Sequence, residues 1–331
     1  MAKLRLSFAC ALYDRMQPLY TGEVQPAGIE LNFIPIEEPR PIFDRMSGGM
    51  EFDVAEYSSS EFVQRFANKQ CPFVAIPVFP SRAFRHGFIA INKKSGITKP
   101  KDLEGKRVGV PLYTMTAAIF IRGLLQHEFG VDFEKIHWVQ GAVNHAGAHG
   151  KPTVLPLLKH MPIEIDPSGR SLSDLIEARV VDATLGTSLP EAIRTNPDIT
   201  RLFPNYVEME REYYKRTGIY PIMHLVGIRR ELVQQHPWLP AAVLKAFEQA
   251  KAAALDLLND TSATKVTLPF VEENLKATRE LMGWDFWPYG VAPNRTTLET
   301  FLRRHHAEGL SPRLVTVEEL FHPSTSESFK I

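Results

Sequence analysis

Cysteine is nearly absent: Cys10 and Cys71 are the two in 331 residues, and they lie far apart in the chain. That leaves no disulfide framework to read, and it fits two buried apolar thiols in a cytoplasmic protein. Net charge is absent too, with 38 basic against 38 acidic side chains, so no global field draws the chain to nucleic acid or to an anionic membrane. No apolar run is long enough to span a membrane. The N-terminal stretch is too short and too interrupted by charge for a signal peptide. There is no solenoid repeat, no Walker loop, no Rossmann glycine fingerprint and no Gly-x-Ser-x-Gly elbow, so nucleotide and hydrolase chemistry find no support.

What is present is an alternation of strand and helix signals on a chain long enough for two lobes. Strands are expected over Leu4–Cys10, Gly28–Ile36 and Phe52–Ala55, with a short helix from Pro41 to Met46 closed by Gly48-Gly49. The serines Ser58, Ser59 and Ser60 can cap a helix over Phe62–Ala67. A second lobe begins after Asn92, with strands at Arg107–Val110, Ile136–Val139, Ile163–Ile165 and Val180–Leu185 and an amphipathic helix at Ala117–Phe129 led in by Tyr113 and Thr114. The apolar segment Ile219–Ile228 returns the chain to the first lobe, and with Phe88–Asn92 it is expected to form a pair of crossover strands. Lobe 1 is then 1–92 with 225–331, and lobe 2 is 93–224. Helices are expected over Pro237–Leu258, Val271–Met282 and Thr296–His306.

The run Pro80-Ser81-Arg82-Ala83-Phe84-Arg85-His86 stands between the apolar stretches Phe73–Phe79 and Phe88–Asn92. Two guanidiniums and an imidazole at such a junction need partners, and an anionic ligand is one. This cluster marks one crossing, and His224 marks the other. Two further histidine pairs are weaker metal candidates. His145 and His149 lie in a Gly/Ala loop without helical spacing, and His305 and His306 are adjacent and diverge on a helix. The expectation is no protein-only metal site, with a divalent ion held by His86, His224 or Glu56 left open.

Asp102-Leu103-Glu104-Gly105-Lys106-Arg107-Val108-Gly109-Val110 is similar to a phrase that opens the second lobe in type II periplasmic-binding-protein folds. More specific are the 79–86 run, Met115-Thr116-Ala117-Ala118, Tyr213–His224, Trp287-Pro288-Tyr289-Gly290 and the ending Leu320–Pro323 with Ser328–Ile331. Together these resemble the 4,5-dihydroxyphthalate decarboxylase family over nearly the whole chain. The loop Asn144–His149 departs from the pattern.

The resemblance implies an α/β, two-lobed type II periplasmic-binding-protein-like fold with two crossover strands and an interlobe cleft. It also implies a cofactor-independent, cytoplasmic carboxy-lyase that acts on 4,5-dihydroxyphthalate, a small aromatic dicarboxylate, or a closely related hydroxylated aromatic acid, giving 3,4-dihydroxybenzoate. Direct loss of carbon dioxide would leave an aryl anion in the ring plane, so the site needs an anion clamp, a base near the phenol and a proton donor over the ring carbon. Arg82 and Arg85 are the expected clamp with Ser81, and His86, His224 and Glu56 the expected acid/base groups. Ser58, Ser59, Ser60, Thr114 and Thr116 sit where helix N-termini favour an anion, and Tyr113 and Tyr289, with Trp287, are candidates to wall the ring. A non-catalytic solute-binding protein and a thiamine-precursor-synthesis-like protein are the alternatives. Oligomeric state stays open.

Overall fold

The computed structural model describes residues 2–152, 155–260, 262 and 265–326. Strand β1 (Leu4–Cys10) turns Leu6 and Phe8 inward and Arg5 outward. The Phe8 ring meets Phe33 and Phe247 edge-on at 4.9 and 5.1 Å, seating the first sheet on the long helix Leu239–Leu257. The remaining strands are β2 (Ile29–Pro35), β3 (Val54–Ser58), β4 (Phe73–Ile76), β5 (Ile89–Asn92), β6 (Arg107–Val110), β7 (His137–Gln140), β8 (Ile163–Ile165), β9 (Ala183–Leu185), β10 (Ile199–Arg201) and β11 (His224–Arg229).

They form two mixed sheets among the described residues. The first has the order β2-β1-β3-β11-β4, the second β10-β5-β9-β6-β7-β8. In each sheet the strand that arrives from the other half runs antiparallel to its neighbours: β11 lies between β3 and β4, and β5 lies between β10 and β9.

The crossover segments differ from expectation. Ile89–Asn92 and His224–Arg229 do not pair with each other, because each is claimed by the sheet it enters. The contact between the crossings lies earlier, where Arg82 bridges Ile222 and Ser81 and Pro221 exchange backbone bonds with Met223 and Ala83. Three local boundaries also move. The helix Pro39–Gly49 runs through Gly48 and Gly49 and ends at Met50 in a left-handed conformation (φ 49°). The third strand starts at Val54 and extends to Ser58, which brings Glu56 into the sheet. The helix expected over 237–258 runs over Leu239–Leu257 with Pro240 in its first turn, and a separate short helix, Arg230–Gln235, precedes it.

The helix Arg295–Ala307 ties the halves together. Phe301 stacks on Phe120 at 5.4 Å, and the fully buried Arg122 of the helix Thr116–Phe129 holds Glu308 (Nε–Oε2 2.9 Å). On the other side His305 Nε2 reaches the Ser60 carbonyl at 3.2 Å. No helix among the described residues is long and apolar enough to cross a membrane. The chain ending at Ser328–Ile331 lies outside the described residues.

Candidate active site

Antiparallel pairing of β3 and β11 sets His224 opposite Ser58 and Val226 opposite Glu56. Directly paired residues share a face of the sheet, so His224, Ser58 and Glu56 project to the same side, with His224 and Glu56 as diagonal neighbours. The imidazole Nδ1 lies 2.6 Å from Glu56 Oε1. Tyr13 donates its hydroxyl to the same oxygen at 2.8 Å, while Oε2 takes the Ala11 N–H at 3.1 Å and the Cys10 thiol at 3.3 Å.

Glu56 is fully buried. Burial alone would raise its pKa, but the hydrogen bond and charge of His224, with the Ala11 N–H and the Tyr13 hydroxyl, hold it below the ordinary carboxylate value. An anionic Glu56 fixes His224 with Nδ1 toward the sheet and Nε2 toward solvent. Phe43 meets the imidazole edge-on at 4.9 Å and sets its plane.

His224 opens on a cleft of about 870 Å³, a size suited to a small-molecule ligand. Two helices point their N-termini at one another beside it. Ser58 caps the helix Ser59–Ala67, and Thr116 opens the helix that ends at Phe129. Ser58 Oγ lies 3.3 Å from Thr116 Oγ1, which also accepts the Ser60 N–H at 3.0 Å; Ser60 Oγ donates to the Thr114 carbonyl at 2.6 Å. The Ser59, Ser60 and Glu61 N–H groups are already bonded to the Met223 carbonyl, Thr116 Oγ1 and Ser58 Oγ, so the aligned dipoles of both helices and the first N–H groups of the helix that Thr116 opens are what favour an anion here.

Of the expected binding residues, Ser58, Ser81, Arg85, Thr116 and His224 line the cleft. The Arg85 guanidinium is buried, which pulls its pKa down to about 10 and still leaves it charged at neutral pH. Its Nη1 reaches the Thr187 carbonyl at 3.5 Å, and its Nε has no partner among the described residues. Glu56 lies beneath the wall, behind His224.

The others are placed elsewhere. Arg82 turns away to the carbonyls of Tyr220 (2.9 Å) and Pro288 (3.2 Å) with its guanidinium over the Tyr220 ring, so it staples the crossing. His86 is packed against Tyr213 and Phe203, and burial drops its pKa to about 4, which suits a core imidazole better than a proton shuttle. Ser59 and Ser60 form the first turn of their helix, and Thr114 offers its carbonyl to Ser60 instead of a hydroxyl to the cleft. Tyr113 lies under Arg122 at 3.8 Å, Tyr289 is buried beside Lys251, and Trp287 sandwiches Arg15 with Tyr13.

Sequence reasoning missed the opposite wall. Arg40, Phe43 and Asp44 of the helix Pro39–Gly49 line the cleft, as do Asn144, His149 and Lys151. Arg40 is neutralised by Asp44 (2.6 Å) and Glu61 (2.5 Å), so Arg85 is the less compensated cation of the two. The i, i+4 spacing of Arg40 and Asp44 was a readable helix signal, whereas nothing local marks the 144–151 loop. Among the described residues no group of three or more His, Cys, Asp or Glu is arranged to hold a metal ion.

Residues 25–152 match the family model described as NMT1/THI5 like. The chain is 44% identical over 332 residues to a 4,5-dihydroxyphthalate decarboxylase of Comamonas testosteroni, covering 100% of both proteins. It is 34% identical over 216 residues to a protein of that name from Pseudomonas putida, covering 65% of this chain and 83% of the relative. Among solved structures, the periplasmic aliphatic sulphonate binding protein of Escherichia coli superposes with a TM-score of 0.55 at 12% identity, over 100% of this chain and 95% of that one. The alkanesulfonate-binding protein of Xanthomonas axonopodis pv. citri gives 0.51 at 12% identity, over 97% and 98%. At such identity these two speak for the fold alone, a two-lobed periplasmic-binding-protein-like α/β architecture. Full-length identity to the Comamonas enzyme goes further: the chain belongs to the 4,5-dihydroxyphthalate decarboxylase family.

Proposed function

We propose that this protein is a carboxy-lyase that converts 4,5-dihydroxyphthalate to 3,4-dihydroxybenzoate and carbon dioxide, with His224 as proton donor. The observation that carries the reading is the pair of buried Glu56 and half-buried His224 opening on a cleft beside Arg85 and two facing helix N-termini. Full-length kinship to the Comamonas decarboxylase supports the substrate.

The substrate is symmetric, so its two carboxylates are equivalent and each is para to a hydroxyl. Orientation in the cleft decides which one leaves. Arg85 and the N–H groups around Thr116 hold the retained carboxylate, and the ring carbon of the other faces His224 Nε2. The imidazolium gives its proton to that carbon while the para hydroxyl releases its own to water and becomes a carbonyl. The bond to the carboxylate then breaks, its electron pair restores the aromatic ring, the carbonyl regains a proton, and carbon dioxide departs. One proton is consumed overall, and solvent returns it to His224. Glu56 balances the imidazolium charge, and as written the sequence draws on no cofactor.

The lobe division of 1–92 with 225–331 and 93–224 goes with this reading, with the first boundary moved ahead of β5, which pairs with β9 and β10. A cytoplasmic location goes with it as well, since the unpaired Cys10 and Cys71 stay reduced there. The test is to incubate the purified protein with 4,5-dihydroxyphthalate and follow carbon dioxide and 3,4-dihydroxybenzoate. Absence of turnover across neutral pH, with and without added divalent metal, overturns the reading. Tight calorimetric binding of the diacid, recovered unchanged, would make it a solute-binding protein instead.

A further inference from the structure

We propose that Tyr13 is a positioning residue that sets the acidity of His224 by sharing its acceptor oxygen on Glu56. This rests on the decarboxylase reading of the site.

Glu56 Oε1 takes two hydrogen bonds, from Tyr13 Oη at 2.8 Å and His224 Nδ1 at 2.6 Å. An oxygen that already accepts one strong bond is a weaker acceptor for the next. The Tyr13 hydroxyl therefore limits how strongly Glu56 holds the imidazolium, and a less stabilised imidazolium is a stronger acid toward a ring carbon. The hydroxyl also stops the carboxylate from rotating, which keeps His224 Nε2 aimed into the cleft.

Tyr13 is itself clamped. The Arg15 guanidinium lies over its ring at 4.4 Å and over Trp287 at 4.0 Å, and Arg15 Nε donates to the Pro80 carbonyl at 2.9 Å. Three segments distant in sequence thus fix one phenol on one carboxylate oxygen, more than a wall residue needs.

Other titratable and charged groups near the pair are the neutral Cys10 thiol and the Arg15 guanidinium on the β1 side and Arg85 at the crossing. Across the cleft stand Glu38, Arg40 and Asp44, and on the loop His145, His149 and Lys151. All of them remain when Tyr13 loses only its hydroxyl, so Tyr13→Phe isolates that bond while keeping the ring that Arg15 covers.

The experiment follows the His224 imidazole by NMR in the resting, ¹⁵N-histidine-labelled protein, assigned by its loss in His224→Gln. In Tyr13→Phe its pKa is expected to rise by about half to one unit, and kcat to fall roughly three- to tenfold, as a weaker acid transfers its proton more slowly. Replacing Tyr13 by 3-fluorotyrosine, a stronger donor, should move the titration the other way, and it serves if Tyr13→Phe does not fold. A His224 titration that is unmoved or moves in the opposite sense, or a kcat unchanged in Tyr13→Phe, overturns the proposal. The titration needs no turnover, so a wild type without decarboxylase activity would topple the parent reading while the role of Tyr13 in the pair is still decided.

Discussion

Arg82 and Arg85 are equally buried, and burial pulls both guanidiniums to about 10, yet one faces the cleft and the other does not. Their concentration between two apolar stretches was legible in the sequence; the choice between them was not. In a regular strand Arg82 and His86 would share a face, but the 77–88 segment turns instead of running extended, and the face of each side chain follows that turn. The two arginines should therefore fail differently when truncated. Arg85→Ala removes a charge-assisted contact to a carboxylate and should raise KM by about ten- to a hundredfold with a smaller change in kcat. Arg82→Ala leaves the Tyr220 carbonyl without its donor, takes one of two donors from the Pro288 carbonyl, which keeps Asn294, and should lower stability by about 1–3 kcal/mol with KM nearly unchanged. Steady-state kinetics beside urea unfolding separates the two. Glu56→Gln, which keeps shape and removes charge, should cost kcat about a hundred- to ten-thousandfold, with substrate binding measured by calorimetry largely kept.

At the level of elements, the cleft is bounded by structure that crosses between the halves. On one side the helix Ser59–Ala67 meets the helix Thr116–Phe129 through Ser58, Ser60 and Thr116. On the other, the 141–151 loop docks on the helix Pro39–Gly49, where the Lys151 N–H reaches Asp44 Oδ2 at 2.8 Å. Just beyond, Gln64 exchanges two bonds of 3.1 Å with the backbone of Leu155. Gly150 makes the close approach possible. Its φ is +73°, and an added Cβ would stand 2.5 Å from Arg40 Cγ and 2.8 Å from Asp44 Oδ2. Gly150→Ala should therefore lift the loop off the helix, raise KM several-fold and expose the loop to limited proteolysis, with the protein still folded. A protease pattern like that of the wild type would count against the loop as a wall of the cleft. Strands and helix caps were readable because their signals are local: alternation around Phe8, a serine cap before Phe62, a proline at the start of a helix. The loop carries no period, and its partner lies about a hundred residues earlier in sequence, so its docking had no local trace.

For the whole molecule, the helix Arg295–Ala307 makes the stability of both halves depend on one buried imidazole. His305 is fully buried between the Ser60 carbonyl and the Ser311 hydroxyl, each at 3.2 Å, and burial drops its pKa to about 3. His86, packed at the crossing, is lowered to about 4. Both are neutral in the folded protein over a range where the unfolded chain protonates them, below roughly pH 6.5. The unfolded state then binds more protons, so the contribution of each is fully present at pH 7 and shrinks as pH falls, down to its folded pKa. By pH 5 each should have lost roughly 2 kcal/mol, being about 1.5 pH units below its unfolded pKa. Glu210 and Glu308, raised by burial, act in the opposite sense, so the wild-type slope alone is a mixture. The difference between wild type and His305→Gln isolates one group. Urea unfolding at pH 7 and pH 5 should show the variant less stable at pH 7 and losing roughly 2 kcal/mol less than wild type on going to pH 5. Parallel losses in the two proteins would mean that His305 already carries a proton when folded, and that its link to Ser60, and through Ser60 to the facing helix N-termini, is made by an imidazolium.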